Sequence, residues 1–164
     1  MCVGADETYM RVALEVARSK GSAPSTSPLG CVIVPDGKVI AAERNQTQEL
    51  PDRTAHAEMM AIRRACETTG EMELRGATLY STLKHCGMCT MESIWVKVGR
   101  VIYGAGRGMC IPCTSRRSMS TLWPSSAMPI VTTLRIEGGC LAEECASPHY
   151  GPNANLPANE QANL

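Results

Sequence analysis

The sequence is poor in aromatic residues and has no excess of charge of either sign. Its 164 residues include no Phe, and aromatic residues make up 4% of the chain, while 44% of residues are hydrophobic and 20% are charged. This mixture is typical of a globular protein and argues against disorder. Lys plus Arg and Asp plus Glu each total 16, so the net charge is zero. Because nucleic-acid-binding proteins usually carry a basic excess, we do not expect nucleic acid as a partner.

Long apolar runs and a secretory signal are also lacking. No segment approaches the roughly 18 continuous apolar residues of a membrane-spanning helix, so we expect no membrane partner. The first ten residues, MCVGADETYM, contain acidic side chains and no apolar stretch typical of a signal peptide. We therefore expect a cytoplasmic protein in a reducing compartment. There, its nine cysteines are more often metal-binding or catalytic than disulfide-bonded.

The order of the predicted elements is typical of an α/β fold. Hydrophobic spacing predicts helices over 6–20, 55–69 and 87–98. Strands are predicted over 29–34, 39–45, 76–83, 100–105 and 129–137. Asp36-Gly37 is predicted to form the tip of a hairpin between the first two strands, and Thr54 to cap the second helix. We expect a single domain over 1–150, with a mixed five-stranded sheet covered by helices, and a polar tail over 151–164.

Two short motifs place metal-binding side chains at the ends of these elements. The motif TAHAE puts His56 in the first turn of the second helix, and Cys86-x-x-Cys89 begins the third helix. One His and two Cys suffice for catalytic zinc, because three protein ligands leave the fourth tetrahedral position to water. One helical turn brings the two sulfurs to one point, and a helix N-terminus favours thiolates.

Glu58 adds a candidate proton carrier to this set. It lies two positions after His56, so its carboxylate can face a metal-bound water without being a ligand. A carboxylate there can take a proton from the water and pass it to a ring nitrogen and a leaving amine. An H-x-E motif followed by P-C-x-x-C is the signature of zinc nucleobase deaminases, and this chain has the H-x-E motif and the cysteine pair.

The chain resembles the cytidine deaminase superfamily, and within it the branch of guanine deaminases, cytosine deaminases and tRNA adenosine deaminases. The resemblance covers about residues 6–105 by element order. It is carried by the hairpin SPLGCVIVPDGKVIAAERN, the helix RTAHAEMMAIRRAC and the segment TLYSTLKHCGMC. It implies a three-layer α/β/α fold and a homodimer.

The resemblance also implies roles for individual residues. It implies that His56, Cys86 and Cys89 bind Zn²⁺ and that Glu58 is the proton shuttle. In such proteins the base of the substrate is bound by an Asn at the position of Asn45. Backbone groups near Ala57 and near the first cysteine of the pair also contact the base.

The residues before the cysteine pair depart from the family pattern. His85 stands where the family has Pro, and Lys84 where it has Glu. Proline preorganises a first helical turn, and His85 does not. In guanine deaminases the acidic residue is expected near the purine edge. We therefore expect Lys84 and His85 to line the substrate site, with Lys84 favouring an acceptor or a negative group. The other interpretations are a solvated surface lysine for Lys84 and, for His85, a spectator, a partner of a cysteine sulfur or an alternative ligand.

Several functions remain compatible with these motifs. The leading interpretation is a guanine deaminase-like enzyme acting on a small amino-heterocycle, and the alternative is a tRNA-specific adenosine deaminase. A different possibility is a non-catalytic zinc module, because Cys86, Cys89, Cys110 and Cys113 have a spacing typical of structural zinc sites. A degenerate deaminase fold that only binds is a further alternative, suggested by Lys84 and His85.

Overall fold

The computed structural model describes residues 4–19, 27–107 and 134–149. Within these ranges the chain forms four α-helices, five β-strands and a final 3₁₀ turn. The helices are α1 (Gly4–Ala17), α2 (Ala57–Thr69), α3 (Gly87–Trp95) and α4 (Ala142–Ala146). The strands are β1 (Gly30–Val34), β2 (Ala41–Arg44), β3 (Thr78–Leu83), β4 (Arg100–Ala105) and β5 (Arg135–Gly138). The 3₁₀ turn (Ser147–His149) follows α4.

The strands form one mixed sheet in the order β2-β1-β3-β4-β5. Strand β1 pairs antiparallel with both β2 and β3, whereas β3, β4 and β5 run parallel. At the hairpin tip Asp36 and Gly37 have φ angles of 46° and 77°, and the carbonyl of Pro35 accepts a hydrogen bond from the Lys38 N–H at 2.9 Å. The predicted five-stranded mixed sheet and its Asp36-Gly37 turn are confirmed.

Helices α1 and α4 cover one face of the sheet. Successive strand residues point to opposite faces, so a helix contact assigns each residue to a face. The Tyr80 hydroxyl of β3 donates to Asp6 Oδ1 of α1 at 2.8 Å. Gly104 of β4 lies against Cys145 of α4, where a Cβ would be 2.2 Å from the sulfur. Both contacts lie on the same face of the parallel pair β3–β4.

Helix α2 covers the opposite face, and α3 lies beside it. The Ser81 hydroxyl of β3 is 3.3 Å from Glu58 Oε1 of α2. Since Ser81 follows Tyr80 in the strand, this contact lies on the face away from α1. The three-layer α/β/α arrangement predicted from the family resemblance is therefore confirmed.

Two helix boundaries differ from the sequence prediction. Helix α2 begins at Ala57, and its N-cap is His56, not the predicted Thr54. The Thr54 N–H and hydroxyl donate instead to Asp52 Oδ1 at 2.7 and 2.8 Å, so the predicted cap was wrong. Helix α3 ends at Trp95 rather than at residue 98, because Lys97 adopts a left-handed φ of 58°.

The C-terminal elements were only partly foreseen. Strand β5 overlaps the predicted strand at 129–137, of which 129–133 lie outside the described residues. Helix α4 was not predicted. The tail 151–164 and the pair Cys110 and Cys113 also lie outside the described residues, so the domain boundary at 150 stays a prediction. No helix of the described ranges has the length and apolarity to cross a membrane.

Gly30 allows α1 to pack closely on β1. A Cβ at this position would lie 2.0 Å from the carbonyl oxygen of Ala13 and 2.7 Å from the backbone nitrogen of Ala17. Both atoms belong to the helix backbone, so neither can move by a side-chain rotation. The close approach of the helix to the sheet therefore depends on glycine at this position.

We expect Gly30→Ala to destabilise the protein by about 1–3 kcal/mol, the usual effect of overpacking a core. This corresponds to a fall in melting temperature of about 2–10 °C, measured by thermal unfolding followed by circular dichroism. Gly4→Ala is the matched control, because no atom lies within 4 Å of its added Cβ. Equal melting temperatures for the two variants would contradict this account of the packing.

Candidate active site

The structure brings one imidazole nitrogen and two sulfurs into a compact cluster. His56 Nδ1 lies 3.7 Å from Cys86 Sγ and 3.6 Å from Cys89 Sγ, and the two sulfurs are 3.4 Å apart. Tetrahedral zinc with Zn–N bonds of about 2.0 Å and Zn–S bonds of about 2.3 Å implies N–S edges of about 3.6 Å and S–S edges of about 3.8 Å. The N–S edges match, and the sulfurs need only a small separation. The three side chains fit a zinc ion.

Two helix N-termini position these donors. His56 is the N-cap of α2, Cys86 is the N-cap of α3, and Cys89 lies in the first turn of α3. Neither His56 nor Cys86 uses its side chain in a capping hydrogen bond, so both side chains are available to the cluster. The unpaired N–H groups and the positive dipole end of each helix favour negative sulfur.

The arrangement of the cluster favours loss of the Cys86 thiol proton. The hydrogen bond between the Cys86 and Cys89 sulfurs, with help from His56, lowers the pKa of Cys86 to about 3. The same hydrogen bond, with burial, raises the pKa of Cys89. The hydrogen bond with Cys86 raises the pKa of His56, while burial and the positive charge of Arg107 oppose that rise. Cys86 is therefore a thiolate at neutral pH, ready to bind a cation.

Glu58 lies beside the cluster with its carboxylate buried. The residue is 3% exposed, and Oε2 has no hydrogen-bond partner among the described residues. The Glu58 carboxylate also contributes to the raised pKa of Cys89, after Cys86 and burial. A buried carboxylate oxygen without a partner is unfavourable in a resting protein, because it has lost its hydration. Such an oxygen is available to a ligand.

His85 points at the same carboxylate. Its Nε2 lies 3.9 Å from Glu58 Oε1, and its side chain is 3% exposed. Neither ring nitrogen has a hydrogen-bond partner in the described ranges. Burial lowers the pKa of His85 and outweighs the opposing charges of Glu58 and Cys86, so the ring is neutral near pH 7. The predicted substrate-lining residue is thus packed against Glu58.

Two cationic residues, Lys84 and Arg107, lie close to the start of the Cys86–Cys89 pair in the chain or in space. Lys84 is exposed, and its Nζ is 5.9 Å from the centre of the Tyr103 ring. Arg107 donates through Nε to the carbonyl of Lys84 at 3.2 Å. Neither side chain has a carboxylate partner within the described part of the chain. Arg107 was not predicted from the sequence, because it lies 18 positions beyond the cysteine pair with no motif around it.

The remaining predicted contacts lie on neighbouring elements. Asn45 follows β2, is 8% exposed, and donates its side-chain amide to Thr47 Oγ1 at 3.2 Å. Ala57 is fully buried as the first residue of α2. Ser81, the partner of Glu58 on β3, was not singled out from the sequence, although strand alternation places it on the face covered by α2.

Comparison with known proteins identifies the same region. The profile of the cytidine and deoxycytidylate deaminase zinc-binding region matches residues 4–105. The chain is 47% identical over 97 residues to a tRNA-specific adenosine deaminase of Agrobacterium fabrum, covering 59% of this chain and 63% of that protein. It is 34% identical to that of Haemophilus influenzae, covering 86% and 79%. A guanine deaminase of Bacillus subtilis is 37% identical, covering 60% and 64%.

Several of these matches are partial. The chain spans just under two thirds of the A. fabrum and B. subtilis relatives. Among solved structures, one from studies of A-to-I editing by tRNA:A34 deaminases superposes with a TM-score of 0.71 at 35% identity, covering 85% of this chain and 97% of that one. The B. subtilis guanine deaminase superposes with a TM-score of 0.59 at 36% identity, covering 62% and 65%.

These findings confirm both the family resemblance and the zinc cofactor expected from it. The matched region is a zinc-binding region, and within it His56, Cys86 and Cys89 are placed as a metal site. The profile covers more than half of the chain, and the H. influenzae relative matches most of the remainder. This chain belongs to the cytidine and deoxycytidylate deaminase family.

Proposed function

We propose that the protein is a zinc-dependent hydrolytic deaminase that replaces the exocyclic amino group of a nucleobase with oxygen and releases ammonia. One observation carries the proposal. The compact cluster of His56, Cys86 and Cys89 lies next to a buried carboxylate, Glu58, whose Oε2 has no partner among the described residues. A purely structural zinc site needs no such free carboxylate, and it normally has a fourth protein ligand.

The three clustered side chains would hold the metal. His56 would bind through Nδ1, and Cys86 and Cys89 through their sulfurs, since these atoms face one another. When bound, zinc supplies the Lewis acidity that makes water a nucleophile near neutral pH. Three protein ligands leave one position open for that purpose.

Glu58 would carry the protons of the reaction. Its carboxylate would accept a proton from the attacking water, give it to a ring nitrogen, and help the amine to leave as ammonia. Its position in the first turn of α2 fixes it two residues from His56, on the same side of the cluster. We also propose the base contacts of Asn45 and the Ala57 backbone that the family resemblance implies.

For the substrate, we favour adenosine within RNA over a free base. Two relatives that are tRNA-specific adenosine deaminases match this chain. One is 47% identical to it, and the other matches 86% of the length of this chain. The guanine deaminase relative matches less strongly, at 37% over 99 residues. On sequence alone, the zero net charge favours the opposite order, with a free base ahead of tRNA.

Two cationic residues near the site support this preference. The charge of Arg107 reaches His56 and His85, where it opposes protonation. Lys84 directly precedes His85, and neither cation has a carboxylate partner in the described ranges. Phosphate contacts supply much of the affinity for nucleic acid, and a few local cations suffice for them. A zero net charge therefore does not prevent the site from binding RNA phosphates.

The homodimer and the cytoplasmic location stay predictions. Trp95, at the end of α3, has 73% of its surface exposed.

Substitution of the proposed proton carrier tests the mechanism. We expect Glu58→Gln to retain zinc but to lower the rate of ammonia release by about 10²–10⁴-fold, because the amide cannot accept a proton. The rate is measured by ammonia release and the zinc content by metal analysis. Glu67→Gln is the matched control, since Glu67 lies on the same helix, exposed and paired with Arg64. Full activity of the Glu58 variant would contradict the proposed role.

Zinc content tests the ligand set separately. We expect Cys86→Ser and Cys89→Ser to lose bound zinc, and Cys66→Ser to keep it, because Cys66 lies outside the cluster. The non-catalytic four-cysteine module predicts another pattern. In that case the double variant of Cys110 and Cys113 would lose zinc and His56→Ala would keep it. We expect the reverse for both, by metal analysis of the purified variants.

The substrate preference predicts a salt effect. We expect an adenosine-containing tRNA anticodon stem-loop to be deaminated, with activity falling steeply as salt increases, and expect little turnover of free guanine, cytosine or adenosine. If Lys84 contacts a phosphate, Lys84→Gln should reduce the slope of log affinity against log salt by about 0.7–1. Lys38→Gln, at the exposed hairpin tip, is the control. Salt-independent turnover of free guanine alone would refute the RNA substrate and leave the deaminase reaction intact.

A further inference from the structure

The two carboxylate oxygens of Glu58 have different surroundings. Oε1 has two polar neighbours, Ser81 Oγ at 3.3 Å and His85 Nε2 at 3.9 Å. Oε2 is buried without a partner among the described residues. Polar protein groups therefore lie near Oε1, whereas Oε2 is available to a ligand.

The Ser81 hydroxyl contacts both Glu58 Oε1 and a backbone carbonyl. A serine hydroxyl has one proton to donate. Its oxygen is 2.9 Å from the carbonyl of Leu83, which can only accept, and 3.3 Å from Glu58 Oε1. The two acceptors therefore share a single proton. His85 is a second residue with a ring nitrogen directed at Oε1.

His85 has no competing partner in the described ranges. Both of its ring nitrogens are buried and unsatisfied, which is unfavourable unless a partner is reached in another state of the protein. N–H···O hydrogen bonds extend to about 3.2 Å, so the 3.9 Å contact is slightly too long for one. Catalytic hydrogen bonds are often long without substrate and shorten when it binds.

The local backbone explains how neighbouring residues serve two tasks. Cys86 has an extended conformation, with φ −81° and ψ 170°, immediately before α3. Cys86 turns its sulfur towards His56, whereas His85 turns its ring towards Glu58. Proline, which the family pattern has at this position, would offer no donor to the carboxylate.

We propose that His85 is a positioning residue whose Nε2–H hydrogen-bonds Glu58 Oε1 and holds the carboxylate with Oε2 facing the substrate. The proposal rests on the proposed deaminase function for its effect on turnover. The contact itself can be tested without turnover. In this arrangement Oε2 carries the protons, and Oε1 anchors the side chain.

Turnover variants test the effect on the reaction. We expect His85→Phe, which keeps a flat ring but removes the donor, to lower kcat by about 10–100-fold with KM changed less than twofold. His85→Gln, which retains a side-chain N–H, should recover part of the loss, and both variants should keep zinc. His149→Phe is the matched control, because His149 is also buried with both ring nitrogens unpartnered, in the turn after α4.

A magnetic resonance measurement tests the contact itself. The chain has three histidines, so ¹⁵N-histidine labelling of the zinc-loaded protein gives few ring signals to assign. We expect the His85 ring to carry its proton on Nε2. We expect Glu58→Gln to shift this signal and to leave that of His149 unchanged.

The outcomes separate this proposal from the proposed function. A rise in KM at constant kcat in His85→Phe would make His85 a substrate contact and overturn the positioning role. An Nδ1-protonated ring, or an Nε2 signal unchanged by Glu58→Gln, would overturn it as well. If the wild type releases no ammonia from any substrate tested, the proposed function fails, and the labelling experiment still decides whether His85 holds Glu58.

Discussion

The meeting of two helix N-termini over one end of the sheet is the constraint on which the site depends. His56 opens α2, and Cys86 and Cys89 open α3, with strand β3 between the two helices along the chain. Their donor atoms lie within 4.8 Å of one another. This requires α2 to pack on the sheet so that its first turn lies near the end of β3, where α3 begins. Zinc bound there would join the two helices directly, so metal binding and tertiary packing stabilise each other.

Features encoded in short sequence spacings could be predicted. The ligand trio and Glu58 lie at the first turns of predicted helices, and the Asp36-Gly37 turn needs only two residues with positive φ. Features that depend on distant partners could not be predicted. Thr54 does not cap α2 because its hydroxyl donates to Asp52. Helix α4 has five residues, which is too short to show a hydrophobic period.

The surroundings of the ligands also combine features that the sequence predicts with features that only the structure shows. The sequence revealed that His85 departs from the family pattern, but not that its ring lies against Glu58, because that contact joins residues 27 positions apart. The net charge of the sequence is zero, whereas the structure places Arg107 against the backbone of Lys84, next to His85. Local charge, rather than total charge, determines which substrates such a site can attract.

Three consecutive residues of β3 link the chemistry to the fold. Tyr80 donates to Asp6 on one face, Ser81 contacts Glu58 on the other, and Thr82 Oγ1 accepts the Gly30 N–H at 3.1 Å. A slip of one residue in strand pairing would exchange the two faces and break all three contacts together. A sheet paired in the wrong register would therefore be less stable and would also lack the site. The polar contacts of β3 thus favour the correct register.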